Sequence, residues 1–141
     1  MKKNKEKAVI ALYDQQGRVL LQDRHGISGA GEQWGFFGGS VEAGETPEQA
    51  LAREIREELG IELESHDFLV NYKVFLLDNQ SYNYIHLFIG FLGNILEHAK
   101  QQEGRAMKLF TTSEAKNLIM NKTDINKWEY IEEYFKKRNI I

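Results

Sequence analysis

Three glutamates near the middle of the chain are spaced so that their carboxylates could act together. Glu54, Glu57 and Glu58 are related by three and four positions, which places them on one face of a helix. Like charges at these spacings repel, and the repulsion grows where burial removes water from the charged groups. A divalent cation relieves the conflict, because carboxylate oxygens are the ligands that Mg²⁺ and Mn²⁺ prefer. The alternative is a solvated acidic face on an ordinary amphipathic helix.

The surrounding residues predict a helix over 47–59 that positions these glutamates. Thr46 is a suitable N-cap, Pro47 suits the first helical position, and Gln49 completes a capping-box pattern with Thr46. Gly60 is the expected end of the helix. The apolar stripe expected to pack on the rest of the protein consists of Leu51, Ile55 and Leu59, with Ala52 beside it.

The stretch over 39–61 resembles the Nudix box, a pattern of glycines, glutamates, one arginine and bulky aliphatic residues at fixed spacing. Every defined position of the pattern is filled, and a chance match is on the order of one in 10⁹ per starting point. The matching residues are Gly39, Glu45, Arg53, Glu54, Ile55, Glu57, Glu58, Gly60 and Ile61. The resemblance implies an α/β fold, an α/β/α sandwich with a mixed sheet in which the box forms a loop, a helix and a loop.

The resemblance also implies a metal site. Its ligands would be the carbonyl of Gly39 and the carboxylates of the box, with one more acidic residue from the loop near residue 100. These implied ligands, with Mg²⁺ as the cofactor and Mn²⁺ as a substitute, are Gly39, Glu54, Glu57, Glu58 and Glu103. Glu97 is the alternative to Glu103 as a further ligand or base. Glu54 is a candidate base, but family members differ on this point, so the base stays open.

Two further box residues are expected to support the implied catalytic glutamates. Arg53 lies away from the metal face on the helical wheel, and by resemblance it orients the box carboxylates through a salt bridge. Glu45 would brace the loop or a metal-bound water.

Candidate substrate contacts lie outside the box. Arg24 follows a predicted strand, and by resemblance it would contact a substrate phosphate, although a surface ion pair explains it equally well. Trp34 and Phe36 belong to the aromatic lead into the box, where Phe37 stands in place of the usual proline.

Further along the chain, Tyr84 and His86 share one face of a predicted strand and could stack on, or hydrogen-bond to, a base. Half-buried strand residues are the plainer interpretation. The glycine-rich segment over 25–33 lacks a Walker pattern, which favours a plain loop over a phosphate cradle.

Composition limits the remaining possibilities. A chain of 141 residues is expected to form one domain over 1–141 with a real core. The net charge of −3 does not suggest a protein that coats a nucleic acid polymer. The apolar run over 8–13 is too short for a signal peptide core or a membrane span. We therefore expect a cytoplasmic monomer or homodimer, by default, whose partner is a small molecule.

Periodicity predicts the remaining elements. Strands are expected over 7–14, 18–24, 68–77, 82–92 and 108–110, with the first two joined as a hairpin at a turn over 14–17. A short helix capped by Thr112 or Ser113 should reach 118–120, and an amphipathic helix should span about 124–138. Strands followed by a helix, more strands and more helices favour α/β layering.

The resemblance implies hydrolysis of a nucleoside diphosphate linked to another group. Ordinary or oxidised nucleoside triphosphates are the first expectation, because the chain is small and its only proline is Pro47, so the downstream proline of ADP-ribose hydrolases is missing. Nucleotide sugars, ADP-ribose-type compounds and dinucleoside polyphosphates are the alternative substrates. A non-catalytic sensor or interaction module would usually have lost box glutamates. A related isomerase of isoprenoid diphosphates would need a cysteine, and the chain has none.

Overall fold

The computed structural model describes residues 4–24, 34–63, 65–77, 80–95, 106–118 and 127–140. Its strands are β1 (Lys5–Tyr13), β2 (Arg18–Asp23), β3 (Trp34–Gly35), β4 (Phe37–Ser40), β5 (Asp67–Leu76), β6 (Ser81–Phe91) and β7 (Met107–Thr111). Its helices are α1 (Pro47–Leu59), α2 (Thr112–Ala115) and α3 (Lys127–Lys137). Each predicted strand is confirmed to within two residues at either end, and the predicted bounds of the first helix are confirmed without change.

Strand β1 is the centre of a mixed sheet. On one side it runs parallel to β6 along its whole length, from Lys5↔Asn83 to Tyr13↔Phe91. On its other side, its first half pairs with β4 and its last residues pair with β2, both antiparallel. Strand β5 extends the sheet beyond β6, and β3 and β7 both pair with β2. The prediction of a mixed sheet is therefore confirmed.

The hairpin of β1 and β2 is confirmed, but the two strands stay paired only near the turn. Their partners there are Leu12↔Leu20 and Tyr13↔Val19. Beyond this point the strands separate, β4 pairs with β1 over 7–10, and β3 pairs with β2 at residues 22 and 23. Strands β3 and β4 were not predicted, because a short glycine-rich segment has low strand propensity and becomes extended only through these pairings. They bring the start of the box into the sheet.

Both faces of the sheet are covered, as expected for a sandwich. The apolar stripe of α1 packs on one face, where the buried residues are Ala8, Ile10, Leu12, Leu20, Phe37, Ala50, Leu51, Ile55, Leu59, Phe88 and Leu92. Helix α3 packs on the other face through Trp128, Ile131, Tyr134 and Phe135, against residues that include Val9, Val19, Leu21, Ile85, Leu87 and Ile89. The strands alternate between the two clusters because successive side chains point to opposite faces.

Local hydrogen bonds define both ends of α1. The Thr46 side chain accepts from the Gln49 backbone N–H while the Gln49 side chain accepts from the Thr46 N–H, which is the predicted capping box. At the other end, Gly60 has a φ of 70° in the left-handed region, and its N–H donates to the carbonyl of Arg56. The ends of this helix are therefore fixed by neighbouring residues.

The prediction for the short helix needs correction, whereas the predicted last helix is confirmed over Lys127–Lys137. Helix α2 is capped by Thr111, whose side chain accepts from the Glu114 N–H, and not by Thr112 or Ser113. It ends at Ala115 and is followed by hydrogen-bonded turns up to Leu118. The first three residues of the predicted last helix, 124–126, lie outside the described residues. Among the described helices, none combines the length and the hydropathy needed to cross a bilayer.

Candidate active site

Helix α1 carries the three glutamates at very different depths. The Glu58 side chain is 3% exposed and the Glu54 side chain 16%. The Glu57 side chain is 52% exposed and lies at the rim. The face predicted from the helical wheel therefore runs from solvent into the protein, and each carboxylate has its own surroundings.

Glu58 is held on both oxygens by residues outside its helix. The backbone N–H of Gly38 donates to Glu58 Oε1 at 2.8 Å, and the Gln22 side-chain amide donates to Glu58 Oε2, also at 2.8 Å. Burial raises the pKa of Glu58 to about 7, and the negative charge of Glu54 adds to the increase, although the two hydrogen bonds and the nearby Arg24 oppose it. Without a cation, this carboxyl group is close to its titration point at neutral pH.

Glu54 lies directly against the backbone of Gly39. A β-carbon added to Gly39 would be 2.5 Å from Glu54 Cδ and within 2.8 Å of both carboxylate oxygens. The preceding glycine is equally constrained, since Gly38 has a φ of +132° and an added β-carbon would lie 2.2 Å from the carbonyl oxygen of Ala8. The two glycines are needed because β4 passes between β1 and the carboxylates of α1.

Arg53 connects the box loop to the carboxylates. Its guanidinium donates to Glu45 at 2.9 and 3.0 Å, to the carbonyl of Ser40 at 2.9 Å, and to Glu54 Oε1 at 2.9 Å. It also forms an ion pair with Glu57 at 3.6 Å. Although Arg53 lies away from the glutamate face on the wheel, its long side chain reaches back to that face, so the expected salt bridge to the box carboxylates is present.

Glu45 braces the loop that precedes α1. Its carboxylate accepts from Arg53 and from the backbone N–H of Glu42, the latter at 2.9 Å. The hydrogen bond from Arg53, together with that from the Glu42 N–H, lowers the pKa of Glu45 to about 2. This carboxylate is therefore fully ionised at neutral pH.

The chemistry of these donors fits a hard divalent cation, although the site is not arranged as a closed metal cage. Within the described residues, no three acidic, histidine or cysteine side chains converge closely enough to form a ready metal site. The carboxylates are instead spread along α1, where the charge of Glu54 raises the pKa of Glu58. Bringing a cation to oxygen ligands of this kind relieves that repulsion. The missing side chain at Gly39 leaves room beside Glu54. Glu103 and its alternative Glu97 lie outside the described residues.

Arg24 lies beside the deepest carboxylate. Its Nη1 is 3.9 Å from Glu58 Oε2, and its stem covers Gly35, where an added β-carbon would be 2.7 Å from Arg24 Cδ. The structure therefore places the predicted phosphate contact beside Glu58, one of the predicted metal ligands.

The predicted aromatic contacts differ in how accessible they are. Phe36 is 5% exposed, with its ring centroid 5.0 Å from that of Trp128 and Lys127 Nζ 5.3 Å from the ring. This position corrects the expectation of a substrate contact, because protein groups already cover the Phe36 ring. Trp34 is half-buried and contacts the Phe110 ring edge-on at 4.9 Å.

Tyr84 and His86 lie on β6, on the face of the sheet that α1 covers. The register places His86 beside Ala8 and Ala8 beside Gly39, so His86 is two strands, or roughly 10 Å, from the box glycine. The two residues line an open groove of about 550 Å³ whose wall also includes Glu6 and Lys73, and His86 Nε2 is 2.7 Å from Glu6 Oε2. The structure does not bring them into contact with the carboxylates described above.

Two residues of the site were missed from the sequence. Gln22 is fully buried and Gly38 donates its backbone N–H, and both hold Glu58. For Gln22 a signal was present, because the residue two positions earlier on the same strand face is the core residue Leu20. A polar residue at a core-facing position needs a hydrogen-bond partner. The backbone donor of Gly38 left no signal of this kind.

Comparison with known proteins bears on the family to which the chain belongs. The family model described as NUDIX domain matches residues 3–133. The chain is 40% identical over 65 residues to the CTP pyrophosphohydrolase of Escherichia coli (strain K12), a match that covers 46% of this chain and 48% of that protein. It is 38% identical over 79 residues to the oxidized purine nucleoside triphosphate hydrolase of Danio rerio, covering 56% of this chain and 50% of the relative. The chain thus spans about half the length of these two curated relatives.

A solved structure extends the likeness to the whole fold. The crystal structure of the MutT NUDIX hydrolase from Burkholderia pseudomallei superimposes with a TM-score of 0.72, at 26% identity, and covers 93% of this chain and 98% of that one. The family model spans almost the whole sequence, including every box residue described above. The chain belongs to the Nudix family.

Proposed function

We propose that this protein is a Mg²⁺-dependent pyrophosphohydrolase that cleaves a nucleoside triphosphate, ordinary or oxidised, into a nucleoside monophosphate and pyrophosphate. One observation carries the proposal: α1 presents Glu54 beside Gly39, Glu57 at the rim and Glu58 next to Arg24. The relatives that the chain matches are named for CTP and for oxidised purine nucleoside triphosphates, which supports this substrate class. Mn²⁺ is expected to substitute for Mg²⁺.

The reaction requires charge neutralisation because a pyrophosphate group repels an incoming nucleophile. A bound divalent cation supplies this neutralisation and lowers the pKa of an attacking water. Glu54, Glu57 and Glu58, with the carbonyl of Gly39, would hold the cation, and Glu103 stays a prediction as a further ligand or base. Arg24 would contact a phosphate oxygen, since a guanidinium matches phosphate geometry.

The proposed site depends on the contacts that fix its acidic residues. Arg53 holds Glu54 and ties it to the loop through Glu45, so the carboxylate is oriented before any ligand binds. Gly38 and Gln22 fix both oxygens of Glu58. Trp34, Tyr84 and His86 stay proposed contacts for the nucleoside.

The substitution Glu57→Gln tests the ligand assignment. Glu57 is at the rim and exposed, so the variant should fold normally, with an unchanged far-UV circular dichroism spectrum. The kcat should fall by about 100-fold or more. Replacing a residue that only hydrogen-bonds to a metal ligand already lowers metal affinity or activity by about 10–100-fold, and Glu57 is proposed as a ligand itself. Glu48→Gln is the matched control, since Glu48 is an exposed glutamate in the first turn of the same helix. Equal kcat values for Glu57→Gln and the wild type would reject the assignment.

A substrate panel tests the substrate class. Ordinary and oxidised nucleoside triphosphates, a nucleotide sugar, ADP-ribose, a dinucleoside polyphosphate and a 5′-triphosphorylated RNA should be compared with Mg²⁺ and with a chelator, scoring released pyrophosphate and phosphate. We expect the highest kcat/KM with one or more nucleoside triphosphates, and no reaction after chelation. A flat response with folded protein would favour a nucleotide sensor or interaction module instead.

A further inference from the structure

Gln22 is fully buried although its side chain is polar. It follows Leu20 on the face of β2 that packs under α1, where the buried hydrophobic residues of β2, β4 and α1 belong to one of the two cores. Burying a side-chain amide costs free energy unless its hydrogen bonds are replaced. A specific contact must therefore explain the amide at this position.

The contacts of Gln22 point to α1. Its Nε2 donates to Glu58 Oε2 at 2.8 Å and to the carbonyl of Phe36 at 3.3 Å. The backbone carbonyl of Phe36 can only accept, so the NH₂ end of the amide must face it and the neighbouring Glu58 Oε2. A single side chain thus connects the segment between β3 and β4 to the glutamate on the last turn of α1.

Together with Gly38, Gln22 fixes the plane of the Glu58 carboxylate. Gly38 donates to Oε1 and Gln22 donates to Oε2, so each oxygen has one donor from outside the helix. A carboxylate has roughly four lone-pair sites, and two donors leave the others for a cation. The rotamer of a buried glutamate held in this way is set before a cation arrives.

We propose that Gln22 is a positioning residue that orients Glu58 for cation binding. The proposal rests on the proposed function, because it takes Glu58 to be a metal ligand. Gln22 itself touches neither the cation nor the substrate; it acts through the Glu58 carboxylate. A residue that hydrogen-bonds to a metal ligand without touching the metal typically changes the metal affinity by about 10–100-fold when it is replaced. We expect an effect of this size for Gln22.

The test is Mn²⁺ binding without substrate, measured by electron paramagnetic resonance titration of free Mn²⁺. Gln22→Met keeps the length of the side chain and removes the amide, and it should weaken Mn²⁺ binding by about 10–100-fold. Thr112→Val is the matched control: the buried Thr112 hydroxyl donates to Glu132 Oε2 at 3.0 Å, outside the box. Gln22→Met loses two donated hydrogen bonds and Thr112→Val loses one, so both variants should lower the Tm, but only Gln22→Met should change the Mn²⁺ affinity.

A double variant shows whether the effect of Gln22→Met on Mn²⁺ affinity is exerted through Glu58. In Glu58→Gln, adding Gln22→Met should cause no further loss of Mn²⁺ affinity, because the amide acts through that carboxylate. If Gln22→Met does not fold, Gln22→Asn serves in its place, since the amide is kept but falls one methylene short of Glu58.

The outcomes separate this inference from the proposed function. A Mn²⁺ affinity for the Gln22 variant within twofold of the wild type, with Glu57→Gln clearly weakened, would overturn the role of Gln22 alone. Unchanged affinities for both variants would overturn the proposed metal site together with it.

Discussion

Glu54 and Glu58 are one helical turn apart, yet different parts of the chain hold their carboxylates. Arg53 holds Glu54 from the same helix, while Gln22 and Gly38 hold Glu58 from the sheet. The two acidic groups stay close only because each has its own donors, since like charges at this spacing otherwise repel. At the scale of single residues, the site is therefore a set of acidic groups kept in place by hydrogen-bond donors.

Gly39→Ala should damage the site through a contact and not through backbone strain. The added methyl group would lie 2.5 Å from Glu54 Cδ, so the carboxylate must move. We expect the Mn²⁺ affinity and kcat to fall by at least about 10-fold, which is comparable to the loss of a residue that hydrogen-bonds to a metal ligand. Titration with Mn²⁺ and a kcat measurement check this.

Gly44→Ala is the complementary control for this prediction. Gly44 has a φ of +85°, and an added β-carbon would have no atom within 4 Å. It should lower the free energy of unfolding by about 1–2 kcal/mol through left-handed strain and leave Mn²⁺ affinity unchanged. Wild-type Mn²⁺ affinity in Gly39→Ala would contradict the close contact with Glu54.

The Glu45–Arg53 pair predicts a pH dependence of stability. Because the pKa of Glu45 is lowered from 4.5 to about 2 in the folded protein, its contribution is complete above the unfolded value and is lost as the pH falls toward about 2. The Tm of Glu45→Gln should therefore lie furthest below that of the wild type near neutral pH. The difference should shrink steadily between about pH 5 and pH 2. A Tm difference independent of pH would show that the ionised carboxylate is not its source.

At the scale of elements, neighbouring residues determine where α1 begins and ends, whereas distant strands form the sheet on which it packs. The capping box and Gly60 define its length, and its apolar stripe selects the face that packs on the sheet. Because β1 and β2 separate beyond the turn, β4 can pair with β1 and β3 with β2 beside that face. As a result, the glutamates on the flank of the stripe meet the backbone of Gly38 and Gly39.

Thr46→Ala should destabilise the protein through the N-terminus of α1 alone. Losing the cap leaves the Gln49 N–H without its side-chain acceptor and should lower the free energy of unfolding by about 1 kcal/mol. Thr46→Ser keeps an acceptor at the same place and should stay close to the wild type. Urea unfolding measures both variants, and equal losses in the two would show that the hydroxyl group is not the cause.

At the scale of the whole molecule, two separate cores hold one sheet, and the core under α1 lies directly beside the glutamates. Phe37 is fully buried under α1 and precedes Gly38, whereas Phe135 is fully buried on the opposite face under α3. Phe37, at the position where proline is usual in Nudix sequences, is thus an aromatic core residue in this chain. The packing of Phe37 helps to fix the strand that carries the Gly38 donor.

Phe37→Ala and Phe135→Ala should separate stability from site geometry. Each should lower the free energy of unfolding by about 3–5 kcal/mol, since each removes a fully buried aromatic ring. Only Phe37→Ala should also weaken Mn²⁺ binding, because β4 loses the packing that holds Gly38 against Glu58. Urea unfolding and Mn²⁺ titration measure the two effects, and an equal loss of Mn²⁺ affinity in Phe135→Ala would contradict the division.

The sequence by itself determined the features that depend on near neighbours. The capping box determines where α1 begins, and the apolar stripe determines which side of the helix carries the glutamates. Both depend on residues only a few positions apart, as helical hydrogen bonds and side-chain periodicity do. Alternation likewise located β5 and β6 to within one residue, since a half-buried strand shows its period directly.

Only the tertiary structure decided which distant groups complete the site. Gln22 and Glu58 are 36 residues apart, and they meet because β1 and β2 separate and admit β3 and β4. Packing against Trp128 of α3 likewise buried Phe36, which the sequence had suggested as a substrate contact. Local pattern carries no information on such pairings, because the free energy that selects them comes from packing and hydrogen bonds between segments far apart in the chain.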